Sequence, residues 1–158
     1  MMATALTELE RMKADLCRQD YWYFVQDFWN EVPGAQPLEI SWHMEFIAKE
    51  LQLVAERVFL GEPAPYDLVI NCPPGSSKSS LVTILYHAWI WARFPQARML
   101  TASHTSELVL DLASKARDVI WSEKYRRYFP GVDIREDTEA KGLYRNTHGG
   151  DRLACTVA

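Results

Sequence analysis

Cysteine is sparse in this sequence. Cys17, Cys72 and Cys155 lie far apart and form no CxxC pair, which excludes a zinc site of the usual spacing and a disulfide framework. A reducing cytoplasm is the compartment expected of such a chain. A basic excess is also lacking: 21 acidic against 17 basic residues leave a formal charge of -4, whereas a module that tracks DNA along a broad basic face carries a positive surplus. Any contact with DNA is therefore expected to be local or to lie elsewhere. No apolar run approaches the roughly 20 residues needed to span a bilayer, and the opening MMATALTELERMKADLCRQD is charged and helical in character. Nothing in it addresses a membrane or a secretory pathway. Internal repeats and low-complexity tracts are missing too. What is present is apolar material: 48% hydrophobic and 12% aromatic residues over 158 positions suffice for one domain with a real core.

Thr7 followed by Glu10 has the spacing of a capping box, and Leu6, Leu9, Met12 and Leu16 recur at helical intervals, so the chain is expected to open with a helix. The aromatics Tyr21, Trp22, Tyr23, Phe24, Phe28 and Trp29 read as satellite core rather than a stacking platform. After Pro33, Gly34 and Pro37 a second helix begins at Ser41, with Ile47, Leu51, Val54 and Val58 on one face and Gly61 at its end. Leu68, Val69 and Ile70 form a short apolar run without alternation, the pattern of a strand buried on both faces. The segment from Ser79 to Phe94 is apolar nearly all round, like a buried helix that Pro95 stops. A strand at Met99 to Ala102 follows, then a helix from Thr105 with Leu108, Leu112, Ala116, Val119 and Ile120 on one side. Leu143 to Tyr144 and Leu153 to Val157, separated by Gly149-Gly150, read as a hairpin. This β-α-β-α order predicts an α/β fold with a parallel sheet, right-handed crossovers and a ligand site at the carboxyl ends of the strands.

Between the first strand and its helix sits CPPGSSK. A phosphate loop wraps phosphate oxygens in backbone N–H groups at a helix N-terminus, while a lysine reaches the terminal phosphates and a hydroxyl holds magnesium. Lys78 and Ser79 suit those two roles; Ser80 competes for the second, and ordinary spacing favours Ser79. The strict pattern GxxxxGK[ST] would place glycine at positions 72 and 77, where this chain has Cys72 and Ser77, with Gly75 as its lone glycine. As a pattern the match is weak, and the strand-loop-helix context strengthens it. The bland alternative is a Pro-Gly turn before a helix whose first turn holds a lysine, although a cation there meets an unfavourable helix dipole.

The run Pro73-Pro74-Gly75-Ser76-Ser77-Lys78-Ser79 resembles the deviant Walker A loop of terminase large subunits from tailed phages, which often begins Pro-Pro and ends Lys-Ser. Trp42-His43, at the head of the helix that runs to Leu60, is similar to that family's tryptophan followed by His or Gln, an element that implies an adenine-binding site. LTASHTSELVLDLASKARDVIWSEKYRRYFP resembles the family's strand ending in a Ser-aromatic step, its helix with an arginine before an isoleucine pair, and then Tyr and Phe-Pro. These blocks span about residues 38 to 131. GGDRLACTVA looks like the strand that precedes the second acidic motif.

The resemblance implies a P-loop NTPase-type three-layer α/β sandwich with a mainly parallel sheet, truncated. Residues 1–37 would form an N-terminal helical segment and 38–158 a partial ATPase domain without the nuclease domain. It implies a motor subunit that couples ATP hydrolysis to translocation of viral DNA into the procapsid. ATP and magnesium would be its cofactors, and double-stranded viral DNA, portal protein, the small terminase subunit and further copies of itself in a ring its partners. The host cell cytoplasm would be its location. Lys78 would be catalytic; Pro74, Gly75, Ser76, Ser77, Lys78, Ser79 and Ser80, with Trp42 and His43, would bind nucleotide, and Ser79 the magnesium ion. Two departures stand out. The sequence stops before the paired carboxylates that hold magnesium and activate water, and Pro74 and Gly75 stand where many family members carry an arginine. Two alternatives therefore stay open, an inactive prophage remnant that at most binds nucleotide and another, helicase-like P-loop ATPase. Ser77 argues against the latter, whose loop more usually keeps the Gly-Lys pair.

The remaining candidates read more plainly. His43 either contacts adenine or caps its helix. His104 is expected to be a polar loop residue, and Arg117 to form an intramolecular salt bridge. Asp133, Glu136, Asp137 and Glu139 form a solvated charge run, and Cys72 and Cys155 are expected to be small buried side chains.

Overall fold

The computed structural model describes residues 6–64, 66–136 and 142–157, so Asp137 and Glu139 of the expected charge run lie outside the described residues. Helix α1 (Glu8–Gln19) opens on the expected capping box: the Thr7 Oγ1 accepts the Glu10 N–H at 3.2 Å, and the Glu10 carboxylate takes the Thr7 N–H at 2.8 Å. Asp20 caps the next helix, α2 (Tyr21–Phe28), by accepting the Tyr23 N–H. A 3₁₀ turn (Trp29–Glu31) leads towards α3 (Trp42–Phe59). After the CPPGSSK loop the helix is wound wide: Ser80–Leu85 is π-helical and continues into α4 (Tyr86–Arg93). There follow β1 (Met99–Ser103), α5 (Ser106–Trp121), α6 (Glu123–Tyr128), β2 (Leu143–Arg145) and β3 (Asp151–Thr156).

The sheet among these residues is small and mixed. Its order is β1-β3-β2, with β3 parallel to β1 and antiparallel to β2, so the hairpin stands as expected but the sheet is not purely parallel. The expected first strand is the main correction. Leu68 to Ile70 carries no regular structure and joins no ladder among the described residues, and Val69 is 86% exposed. Leu68, Ile70 and Cys72 pack against the core while Val69 and Asn71 face out, so the segment is buried on one side only. An apolar triplet says that a strand can be buried; a pairing partner decides whether both faces are.

Three helical faces are corrected in part. On α1 the periodic stripe Leu9, Met12 and Leu16 is exposed, and the buried positions are Ala14 and Cys17. Small side chains there let α1 approach its neighbours closely, while its outward face stays apolar. On α5 Ala116, Val119 and Ile120 are buried as expected, while in its first half Val109 and Ala113 are buried in place of Leu108 and Leu112, and Leu108 is 43% exposed. On α3, Ile47 and Leu51 are buried with Met44, Ala48 and Ala55, whereas Val58 is exposed.

The aromatics of α2 are core rather than satellite. Phe24 and Phe28 stack at 4.4 Å between ring centroids, and Phe28 meets Tyr125, Tyr128 and Phe129 edge-on or stacked. Each ring of this size removes enough apolar surface to contribute about 2–3 kcal/mol. Three tyrosine hydroxyls then lace the helices together by donating to main-chain carbonyls: Tyr21 to Leu81, Tyr86 to Leu51 at 2.7 Å and Tyr125 to Ala88 at 2.8 Å. Arg117 forms no salt bridge among the described residues. It reaches the Ser114 hydroxyl at 3.5 Å and lies 4.6 Å over the Trp121 ring, so the ring face stabilises the cation instead of a carboxylate. Cys72 and Cys155 are half-buried, and it is Cys17 that is fully buried.

Helix α5 touches both β1 and β3, and the side chains of Met99, Thr101, Tyr144, Arg152 and Ala154 share the face turned towards it. Leu100, Ala102, Leu143, Leu153 and Cys155 share the opposite face, where Leu100 is 66% and Leu153 41% exposed. On the covered face Tyr144 donates to the Ala113 carbonyl at 3.1 Å. Its single proton being used, the hydroxyl must accept from His87 Nδ1 at 3.2 Å and from Arg152 Nη1 at 3.4 Å, which leaves His87 Nε2 bare and without a partner among the described residues. Burial, reinforced by the Arg152 cation, holds His87 well below the ordinary histidine range. Below about pH 6.5 the unfolded chain then binds a proton that the folded one refuses, so stability is level above that pH and falls as pH drops below it. Thermal melts at pH 7.5 and 5.5 are expected to show a loss that is smaller in His87→Gln; an equal loss in both would remove His87 as its source.

Candidate functional site

The loop from Cys72 to Ser79 is shaped by its own chemistry. Pro73 and Pro74 fix φ, Ser76 N–H closes a turn on the Pro73 carbonyl at 3.4 Å, and Gly75 takes φ +81°. Ser77 also lies in the left-handed region, at φ +60°, and is the one non-glycine residue to do so among the described residues. A position that strict phosphate loops fill with glycine is thus held here by serine in a glycine conformation, at a cost of about 1 kcal/mol or more. Lys78 and Ser79 begin the helix, and the Leu81 N–H closes its first turn on the Ser77 carbonyl at 3.1 Å. The first N–H groups of a helix have no carbonyl behind them and point at whatever sits before its start.

Side chains around this helix start are poised but unevenly satisfied. The Lys78 ammonium folds back on the Cys72 carbonyl at 3.1 Å, across the mouth of the loop. Ser76 Oγ is buried without a hydrogen-bond partner among the described residues, Ser79 is exposed and Ser80 half-buried. Among the described residues no group of three or more His, Cys, Asp or Glu side chains converges as a metal would require. A magnesium ion here would rest on one hydroxyl, phosphate oxygens and water, a mode that this ion accepts.

Next to the loop lies an apolar cavity of about 230 Å³, formed by Trp42, His43, Phe46, Ile47 and Glu50 of α3 and by residues 68–72. Trp42 is 81% and Phe46 59% exposed, so two large rings stand at its rim. Both sequence-predicted elements, the head of α3 and the loop, are therefore brought together: His43 Nε2 lies 3.4 Å from the Ser76 carbonyl. Phe46 was not anticipated, although an aromatic four residues after Trp42, off the buried stripe of α3, is a signal of a second face. A larger groove of about 590 Å³ at Phe59 and residues 93–98 follows the surface of the turn after α4 and includes none of the predicted site residues. His104 is an exposed residue just after β1, as expected.

Comparison with protein-family models, with curated proteins and with solved structures finds no match for this chain. The chain is α/β with a small mixed sheet, and among the described residues no helix is long and apolar enough to cross a membrane.

Proposed function

We propose that this chain is a nucleotide-binding part of a DNA-packaging motor, the N-terminal portion of the ATPase domain of a terminase large subunit. The observation that carries the reading is the helix start at Lys78 and Ser79, reached through a left-handed Gly75 and a left-handed Ser77 and flanked by an apolar cavity under Trp42 and Phe46. A phosphate chain fits the first element by charge and N–H donors; a flat heterocycle fits the second by area and apolar lining. In this reading the backbone of residues 75 to 79 holds the phosphates, Lys78 leaves the Cys72 carbonyl to meet their outer charge, and Ser79 binds the accompanying magnesium ion. Bound ATP supplies the free energy of the motor.

The wider role follows from the resemblance of residues 38 to 131 to that family. It includes a three-layer sandwich built on this sheet, double-stranded DNA, portal and small-subunit partners, a ring of copies and the host cytoplasm. The uncovered sheet face bearing Leu100 and Leu153 supports a further layer, as such a sandwich requires. Hydrolysis belongs to the reading only together with a carboxylate pair, and among the described residues no strand is followed by one. The test is titration of a fluorescent ATP analogue with and without magnesium. The parent is expected to bind better with the ion and Ser79→Ala to lose that difference while keeping metal-free affinity; a parent that binds no nucleotide under either condition defeats the reading.

A further inference from the structure

Ser41 occupies the N-cap of α3 in extended backbone, where a serine normally turns its oxygen onto the N–H of the second or third helical residue. It does not do so here: no side-chain hydrogen bond caps the helix. Its hydroxyl lies instead 2.9 Å from His43 Nδ1, and 3.5 Å from Nε2 of the same ring. The far nitrogen, Nε2, faces the Ser76 carbonyl at 3.4 Å. A carbonyl only accepts, so Nε2 must carry the proton; in the neutral ring Nδ1 is then an acceptor and the Ser41 hydroxyl donates to it. The chain of donors runs Ser41 to His43 to Ser76, from the head of one helix to the loop before the next.

We propose that His43 is a positioning residue for the loop, oriented by Ser41, and that it acts on the phosphate end of a bound nucleotide rather than on its base. The proposal rests on the phosphate-loop reading of residues 73 to 79. Ser76 stands between the two left-handed residues Gly75 and Ser77, so a hydrogen bond on its carbonyl holds the Ser76–Ser77 peptide plane that leads into the strained Ser77 and aims its N–H. Both ring nitrogens of His43 are engaged in this chain, while Trp42 and Phe46 offer exposed rings for stacking. The serine has given up a helix cap to orient the ring, a local sacrifice that the helix itself does not require.

Base recognition and loop positioning separate cleanly when the probe has no base. Binding of ATP and of inorganic tripolyphosphate, each with magnesium, is to be measured by calorimetry on the parent, His43→Ala, His43→Gln, Ser41→Ala and Lys78→Ala. His43→Ala is expected to weaken both probes by the same factor, about five- to tenfold, the worth of one lost hydrogen bond. His43→Gln, which keeps an N–H able to reach the carbonyl, is expected to stay within about threefold of the parent, a difference under 1 kcal/mol. In nucleotide-free protein the amides of residues 75 to 79 should exchange with deuterium faster in His43→Ala and in Ser41→Ala than in the parent. Ser41→Ala should lower the thermal midpoint only slightly, since the cap is not made and one hydrogen bond to His43 is lost. Loss of ATP binding alone in His43→Ala, equal binding of both probes by His43→Ala and parent, or unchanged exchange of the loop amides would each overturn the proposal. A parent that binds neither probe, or Lys78→Ala that binds like the parent, overturns the phosphate-loop reading and this proposal with it.

Discussion

Lys78→Ala is expected to lower affinity for ATP with magnesium by about thirtyfold or more while leaving the circular dichroism spectrum and thermal midpoint near those of the parent. The magnitude is that of a charge-assisted contact, roughly 2 kcal/mol. The small effect on folding has a structural basis: the ammonium makes one hydrogen bond, to the Cys72 carbonyl, and no ion pair among the described residues. Alanine is a good helix former, and removing a cation from a helix N-terminus relieves an unfavourable dipole interaction. Binding by Lys78→Ala equal to that of the parent would return the segment to a plain Pro-Gly turn before a helix.

Gly150→Ala is expected to destabilise the fold by about 2–4 kcal/mol, the range of an overpacked, hydrogen-bonded site. A Cβ at this position would stand 2.5 Å from the Pro95 carbonyl oxygen, 2.9 Å from that of Ala97 and 2.8 Å from Asn146 Nδ2. None of these can yield freely. The Pro95 oxygen accepts Asn146 Nδ2 at 2.6 Å, the Ala97 oxygen accepts the Trp91 indole N–H at 3.0 Å, and Asn146 Oδ1 receives the Gly150 N–H at 2.9 Å. The methyl group would therefore push the hairpin off the turn that joins α4 to β1. Its neighbour provides the control. Gly149 has φ +83° and open space around its Cβ position, so Gly149→Ala should cost only the backbone term, about 1–2 kcal/mol. Urea unfolding of the two variants checks the order; equal losses would mean that steric crowding at Gly150 is relieved elsewhere.

Much of the fold was legible because it is written in short-range chemistry. The Thr7–Glu10 box, the Pro95 stop, the helix starting after Thr105 and the hairpin around Gly149-Gly150 each depend on a few neighbouring residues, and each stands where the sequence put it. Which side of an element faces inward depended on partners far along the chain. Leu9, Met12 and Leu16 keep helical period on α1, yet periodicity cannot say whether that stripe or the one through Ala14 and Cys17 is the buried one. Leu68 to Ile70 was read as a strand on composition alone, and a ladder requires a second strand that composition does not reveal. In the candidate site, the loop and the head of α3 were both visible as motifs, but the bond from His43 to Ser76 joins positions 33 residues apart. His87 and Arg152 gave no signal, since a buried cation with no carboxylate partner among the described residues is what sequence reasoning expects not to find.

The wide winding at Ser80–Leu85 bears on which insertions and deletions the chain tolerates. A π turn closes its hydrogen bonds over one residue more than an α turn, so the stretch behind the loop holds slack in its residue count. Removing one residue from it can be absorbed by tightening to ordinary helical winding, with Lys78 still at the head and Trp89 and Trp91 still delivered to the interior in phase. The same deletion in α5, whose winding is already α, would turn everything downstream by roughly 100° and carry β3, with β2 beside it, out of register with β1.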